Sequence, residues 1–154
     1  MFREMRRKEK QLLMEETMEV LNKGEYGVLS TVGADNYPYG VPVNYVYHNE
    51  SIYFHCATAG HKIDNIENNS NVSFCVVCDT EVLPAQFSTK FRSVILFGKA
   101  KEVIDKEKEE ALLTLLHKFS SKHIEAGKKY MEKAWDQTKV IKIEIEHIHG
   151  KGKK

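Results

Sequence analysis

Residues 26–55, YGVLSTVGADNYPYGVPVNYVYHNESIYFH, contain three runs of β-branched and aromatic residues with turn-forming residues between them. Runs of this composition are typical of strands, and clusters such as Gly33-Ala34-Asp35-Asn36 are typical of turns. The three predicted strands are Tyr26–Val32, Tyr39–Tyr47 and Ser51–His55. Because their connections are short, we expect them to form an antiparallel meander.

The rest of the chain adds three more predicted strands, Val72–Cys78, Phe91–Val103 and Val140–Ile148. Strand edges carry unpaired main-chain groups, and six short strands protect these edges best by closing on themselves. The periodicity therefore predicts a mainly β fold, a small antiparallel barrel of six strands with helices at its periphery.

Four helical segments are predicted around this barrel. The first spans about Glu9 to Asn22, because apolar side chains recur there at helical spacing. Lys62 to Asn68 forms a short helix, and Asp105 is expected to cap a longer one. A mostly polar helix covers about Ile124 to Trp135. The predicted buried faces consist of Leu13, Thr17, Val20 and Leu21 in the first helix and Leu112, Leu115, Leu116 and Phe119 in the longer one.

Composition limits the class of protein. With 154 residues, of which 42% are hydrophobic, the chain fits a single domain spanning residues 1–154. A formal net charge of +1 argues against nucleic acid or a membrane surface as a partner, although basic residues gather at both termini. Three cysteines and the lack of a signal-peptide core predict reduced thiols and a cytoplasmic location.

The segment YFHCATAGHKIDNI, residues 53–66, passes from a predicted strand through small residues into a predicted helix. Small side chains let a ligand approach the main chain, and a helix N-terminus with a lysine beside it favours an anion. An ordinary strand-to-helix turn with a solvated lysine has the same pattern, and glycine-containing turns before helices are common. Spacing alone therefore leaves both interpretations open.

Five segments together resemble the pyridoxamine 5'-phosphate oxidase-like flavoproteins, in particular their nitroimidazole-resistance branch. They are Met5–Lys8, Tyr37–Tyr45, Ile52–Lys62, Phe91–Ile95 with Gly98, and Ile148–Lys151. They occur in order across nearly the whole chain. The resemblance implies a six-stranded antiparallel split β-barrel, a homodimer, and FMN held in a cleft between the two subunits.

The resemblance also implies roles for individual residues. Lys62 would neutralise the FMN phosphate, and Ser93 would contribute from the fifth strand. The proposed lining of the phosphate pocket is His55, Cys56, Ala57, Gly60 and His61. The segment expected beside the isoalloxazine ring is Val41, Pro42, Val43 and Asn44. Pro38 and Pro42 cannot donate ladder hydrogen bonds, so this strand is expected at an edge, where prolines also guard against aggregation.

The implied activity is FMN-dependent oxidation or reduction of a small molecule, with nitroaromatic compounds as one candidate class. No catalytic residue is assigned, because the flavin carries the reactive atoms. The sequence ends at Ile148-His149-Gly150-Lys151-Gly152-Lys153-Lys154 without the Arg-rich segment of the true oxidase, so we do not expect that activity. Two alternatives stay open: a non-enzymatic flavin- or haem-binding protein, and a nucleic-acid contact through the basic termini.

Two further patterns do not predict a metal site. Cys75 and Cys78 are three apart in a predicted strand, so their side chains point to opposite faces. His147 and His149 share one strand face, a geometry compatible with a metal or haem, but the sequence offers no complete set of ligands around them. We expect surface or interface histidines there.

Overall fold

The computed structural model describes residues 1–153, which form a strongly curled antiparallel sheet with helices around it. The strands are β1 Tyr26–Val32, β2 Pro38–Asn44, β3 Val46–His48, β4 Ser51–Ala57, β5 Asn71–Leu83, β6 Ser88–Val103 and β7 Thr138–Lys153. The helices are α1 Met14–Lys23, α2 His61–Asn68, α3 Asp105–Phe119 and α4 Ile124–Lys133. Short 3-10 turns occupy Lys8–Lys10, Pro84–Gln86 and Trp135–Gln137.

The strand order explains why the sheet curls. It runs β2-β1-β5-β6-β7-β4-β3, so β2 and β3 form the two outer edges. In the chain, however, only Tyr45 separates the end of β2 from the start of β3. The two edges of the sheet must therefore meet at this residue. The result is the predicted mainly β split barrel with helices outside it.

The strand count differs from the prediction at Tyr45. The second predicted strand, Tyr39–Tyr47, is divided into β2 and β3, which gives seven strands among residues 1–153. The Tyr45 carbonyl accepts a hydrogen bond from Lys118 Nζ at 3.0 Å, and its phenol donates to the carbonyl of Leu21. Tyr45 belongs to neither strand ladder, and these contacts anchor it between β2 and β3.

Two packed clusters form the interior. The larger fills the barrel, and its fully buried members include Leu21, Leu29, Tyr45, Phe54, Phe74, Leu96 and Ile143. The smaller joins α3 to the barrel wall through Val46, Tyr53, Val103, Ala111, Leu115 and Val140. β1 alternates between the interior and the outer face, whereas Ser51 to Phe54 in β4 are all buried, because α3 covers the outer side of β4 at Tyr53.

The predicted helices are present with shifted ends. The first α-helix begins at Met14 rather than Glu9, because Leu12 N–H donates to the Gly150 carbonyl at 3.0 Å and so keeps this segment on β7. Leu13 is consequently 71% exposed, not buried. The predicted cap was also wrong: Asp105 is the first residue of α3, and Ile104 occupies the N-cap without a side-chain hydrogen bond.

Candidate functional site

The loop between β4 and α2 is open to ligands. β4 ends at Ala57 and α2 begins at His61, with Gly60 in the N-cap position. Gly60 has φ 155° and ψ 173°, a conformation that is essentially restricted to glycine. A side chain built there would meet nothing within 4 Å. The main chain of the loop therefore faces free space at the start of a helix.

Lys62 supplies a free cation beside this loop. Within residues 1–153 its ammonium group makes no hydrogen bond or salt bridge, although the side chain is partly buried. The charge lies close enough to act on Cys56, whose thiol pKa it lowers, but burial is the larger effect and raises that pKa overall. An unpaired lysine next to free helix N–H groups is an arrangement that binds anions.

His61 is exposed at the start of α2, and its ring makes an aromatic contact. Its ring lies against the ring of Tyr39 in β2, with 3.9 Å between the centroids and 30° between the planes. The contact ties the start of α2 to the edge strand β2. We infer that His61 shapes the loop through this contact with Tyr39.

A cleft of about 650 Å³ adjoins the loop. One side comes from the barrel and from the turn before β7, and it comprises Asn44, His55, Cys56, Ala57, Gln137 and Thr138. Its apolar side comes from α3 and α4 and comprises Leu112, Leu115, Leu116, Phe119, Tyr130, Met131 and Ala134. This volume and this mixture of apolar walls with a few polar groups are typical of small-molecule sites.

Two residues at the end of β4, His55 and Cys56, line this cleft and have shifted pKa values. The ring of His55 reaches solvent, yet the surrounding protein displaces enough water to lower its imidazole pKa below the usual 6.5. Burial likewise raises the pKa of the Cys56 thiol. Both groups are therefore held toward their neutral forms, which suits the lining of a cleft for an uncharged ring system.

β2, which contains the segment predicted to lie beside the isoalloxazine ring, is at an edge of the sheet, as Pro38 and Pro42 indicated. β2 pairs only with β1, so its other side is free of ladder partners. Within it, Val41 and Val43 pack against the core, whereas Pro42 and Asn44 point outward and are exposed. Asn44 alone of these four lines the cleft, and its amide also donates to the Glu25 carbonyl at 3.0 Å.

Ser93 lies apart from the other predicted site residues. It lines a smaller cleft of about 220 Å³ and is paired with Lys151 near the end of β7. The loop residue Ala57 is instead paired with Thr138 at the start of β7. These positions are separated by about 13 residues, roughly 40 Å of extended strand. A single chain therefore does not bring Ser93 together with Lys62.

The sequence did not predict that α3 and α4 form a wall of the large cleft. The predicted apolar stripe of α3, Leu112, Leu115, Leu116 and Phe119, lines the cleft, and Leu115 also packs into the smaller cluster. α4 was described only as polar, although Tyr130 and Met131 lie on its cleft side. Tyr130 and Met131 are adjacent in a polar helix, so they do not form the repeat of three or four residues that predicts an apolar helix face.

Comparison with protein families decides the classification. The family model described as pyridoxamine 5'-phosphate oxidase matches residues 14–152. The chain belongs to this family. The match covers every strand of the barrel, the β4–α2 loop and both walls of the large cleft. None of the curated proteins is a significant match to the sequence.

Solved structures share this family's fold. A candidate 5-nitroimidazole antibiotic resistance protein from Bacteroides thetaiotaomicron superposes with a TM-score of 0.78 at 22% identity, covering 92% of this chain and 85% of that one. A flavocytochrome from Azotobacter vinelandii gives 0.82 at 18% identity, with coverage of 97% and 72%. An FAD- and haem-binding protein from Mycobacterium smegmatis gives 0.79 at 17% identity, with coverage of 94% and 74%.

Residues 1–153 contain neither a membrane-spanning helix nor a cluster of metal-binding side chains. None of the helices in this part of the chain is long and apolar enough to cross a membrane. Over the same residues, no group of three or more His, Cys, Asp or Glu is arranged to hold a metal ion.

Proposed function

We propose that this family member binds FMN and uses it as an oxidoreductase acting on a small molecule. The observation that carries the proposal is the unpaired Lys62 beside the open main chain at Gly60, at the N-terminus of α2 and next to the large cleft. A phosphate at this point would gain a full positive charge from the lysine and main-chain N–H donors from the helix.

The cleft fits the rest of a flavin mononucleotide. A planar ring would lie between the apolar wall of α3 and α4 and the polar residues Asn44 and His55. When bound, the flavin would supply the electron-transfer chemistry. The residues of this chain would hold the phosphate at Lys62, orient the ring through Asn44, and exclude water with Leu116 and Phe119.

A homodimer is part of the proposal, because one sheet face carries an apolar row that is open in the single chain. Direct cross-strand pairs place the members of the row side by side, in the order Pro42, Val28, Cys75, Ile95 and His149. Val28 and Ile95 are each 37% exposed, and Tyr26 and Val77 next to the row are 58% and 52% exposed. A second copy that covered this face would remove apolar surface from water.

The substrate class we favour is a flat aromatic compound, with nitroaromatics as the candidate to test first. The apolar wall contributed by Leu112, Phe119, Tyr130 and Met131 favours such a ring. The Bacteroides relative is described as a candidate resistance protein for 5-nitroimidazoles, which are compounds of this class. A cytoplasmic location stays a prediction from the sequence.

The alternative is a protein that binds a flavin or haem without turning over a substrate. It is supported by two similar structures, the flavocytochrome and the FAD- and haem-binding protein. The two functions differ in turnover. We expect the FMN-loaded protein to oxidise a reduced nicotinamide donor when a nitroaromatic acceptor is added, and a storage protein would not.

The first experiment is the visible absorption spectrum of the purified protein after addition of FMN and removal of the excess. We expect flavin bands to stay with the protein and Lys62→Ala to weaken FMN binding by about tenfold or more, since a charged contact to phosphate is lost. Lys129→Ala, at an exposed position of α4, is the matched control. Equal FMN affinity in both variants would refute the phosphate site, and a Soret band without flavin bands would favour haem.

A further inference from the structure

The two helices that wall the large cleft are attached to the protein very differently. We propose that α4, residues Ile124–Lys133, is a lid that closes over the occupant of this cleft by turning about its C-terminal end. The lid rests on the function proposed above in one respect, since FMN is taken as the occupant.

α3 is the fixed wall of the cleft. Its Glu107 carboxylate accepts hydrogen bonds from the Tyr53 hydroxyl at 2.7 Å and from Lys142 Nζ at 2.9 Å, which ties the helix to β4 and β7. Ala111 and Leu115 are buried in the smaller cluster between this helix and the barrel. Polar and apolar contacts together therefore hold α3 in one position.

α4 has no such attachments along its length. None of its residues is buried. Among residues 1–153, its side chains form a single ion pair, between Lys128 and Glu125, and both partners belong to α4 itself. The helix approaches α3 at Gly127, where a Cβ atom would overlap the side chain of Leu116. Because glycine has no side chain to interlock with Leu116, this contact leaves α4 free to turn.

The C-terminal end of α4 is anchored. Lys108, a buried residue of α3, donates from Nζ to the Trp135 carbonyl at 2.9 Å and lies 4.3 Å from the centroid of the Trp135 ring. The Thr138 hydroxyl donates to the Ala134 carbonyl, also at 2.9 Å. A charged donor that also lies over an aromatic ring makes a strong local contact. The chain is therefore fixed just beyond the last turn of α4.

The N-terminal end of α4 has only the turn that leads into it. In this turn the main-chain N–H of His123 donates to the Ser120 carbonyl at 2.8 Å, and residues 121–123 are exposed. The side chains of residues 120–123 form no hydrogen bond or ion pair with any other residue in 1–153. A segment with one anchored end and few buried contacts belongs to the least stable part of a fold, from which moving elements are drawn.

The cleft is open in this conformation, with an aromatic side chain of α4 at its edge. Tyr130 lines the cleft and is nevertheless 74% exposed. On the opposite wall, His55 and Ala57 also reach solvent. Inward rotation of α4 would bring Tyr130 against an occupant and remove apolar surface of both from water. The Tyr130 ring is therefore the group that the lid would lay on a flavin.

An open cleft with a movable wall predicts two steps in binding. FMN would first enter the open cleft, and α4 would then close and slow its departure. A static wall would give one step, because nothing in the protein has to move after FMN arrives.

Stopped-flow fluorescence of FMN binding to the full-length protein distinguishes the two cases. We expect the association rate to level off as the FMN concentration rises, because closure becomes the slow step. Lys108→Met should speed FMN dissociation at least fivefold with an unchanged initial association slope, since Lys108 does not line the cleft but anchors the lid. Lys106→Met, at an exposed position of α3, is the matched control. An association rate that stays linear, or equal dissociation rates for the two variants, overturns the lid.

Replacing Tyr130 tests the side chain that closure brings to the ligand. Tyr130→Ala should speed FMN dissociation at least tenfold, whereas Tyr130→Phe should keep the wild-type rate because the ring makes the contact. Lys129→Ala, the next position of the same helix, should also keep it. Circular dichroism verifies that the variants are folded. Wild-type dissociation from Tyr130→Ala would show that α4 does not close on the flavin.

Limited trypsin digestion tests the lid in the free protein, without FMN. Cleavage after Lys128 and Lys129 in α4 should be at least tenfold faster than cleavage after Lys106 in the anchored α3. Equal cleavage of the two helices overturns the lid, whatever the ligand is.

The same digestion with saturating FMN separates the two proposals. We expect bound FMN to slow cleavage in α4 several-fold and to leave cleavage after Lys106 unchanged. FMN that binds without slowing cleavage in α4 overturns the lid and leaves the flavin proposal intact. If FMN does not bind, the flavin proposal fails, and digestion with haemin in its place tests closure over the alternative ligand.

Discussion

Lys118 contacts Tyr45, the residue that separates β2 from β3. The Lys118 ammonium donates to the Tyr45 carbonyl at 3.0 Å, lies 4.2 Å from the centroid of the Tyr45 ring, and also donates to the Gly24 carbonyl. One side chain from α3 thereby joins the end of α1 to the point where the sheet edges meet. Burial lowers the pKa of Lys118, and Glu25 partly opposes this effect.

Replacing this lysine should loosen the closure of the barrel. We expect Lys118→Met to lower the free energy of unfolding by about 2 kcal/mol, because two main-chain carbonyls lose a charged donor while the aliphatic packing is largely kept. Urea denaturation measures the change. Lys122→Met, at an exposed position just after α3, is the control and should change stability by less than about 0.5 kcal/mol. Equal stabilities for the two variants would contradict this role of Lys118.

The register shift between β6 and β7 lies at Gly98, where a side chain has no room. The register between the two strands shifts between Phe97 and Gly98, and a side chain built at Gly98 would overlap the carbonyl oxygen of Glu144. Gly98→Ala should therefore cost about 3 kcal/mol, because main-chain atoms must move to make room.

Gly40 is the matched control for this glycine. A side chain there would come no closer than 3.4 Å to Val28, which is ordinary contact. We expect Gly40→Ala to leave stability within about 0.5 kcal/mol of the wild type or to raise it, since alanine reduces the freedom of the unfolded chain. A small loss for Gly98→Ala in thermal or urea unfolding would show that the register shift at Gly98 tolerates a side chain.

The pKa of His55 predicts how stability responds to acid. Its folded pKa lies below the usual 6.5, so between these two values the unfolded chain binds more protons than the folded one. Stability should therefore fall as the pH drops through 6.5 toward the folded pKa. His149, whose pKa is also lowered, adds to the same trend.

His55→Gln should make this dependence on pH shallower. Unfolding free energies of the wild type and the variant, measured between about pH 7.5 and pH 5.5, test the sign. Lys129→Gln should keep the wild-type slope. An unchanged slope for His55→Gln would mean that the folded protein does not disfavour protonation of His55.

The apolar row on the outer sheet face should be the contact between subunits. Val28→Arg places a charge on the centre of β1 within this row, and a charge buried without a partner is costly. We expect the variant to become monomeric in sedimentation or light scattering while its circular dichroism stays unchanged. Ile104→Glu, at another exposed apolar residue, should leave the assembly as in the wild type. A wild-type chain that is monomeric would refute the homodimer.

Local patterns explain which parts of the structure could be predicted. The alternation in Tyr26–Val32 and the turn residues after it depend on neighbours in the chain, and these strand bounds agree with the structure. The small residues Ala57 to Gly60 likewise predicted an open turn before α2, which is present. The start of α1 was wrong because Leu12 pairs with Gly150, a contact that no local pattern records.

The sequence by itself determined where the strands lie, except for the break at Tyr45, as well as the lysine-bearing loop and, through five matching segments, the family. Only the tertiary structure decided that the sheet edges meet at Tyr45, that α3 and α4 wall the cleft beside His55, and that Ser93 belongs with Lys151 rather than with Lys62. The physical reason is the range of the interactions. Side-chain periodicity and turn-forming residues act over a few neighbouring positions. Strand pairing and helix packing join residues that are far apart in the chain, and these pairs become visible only in the folded protein.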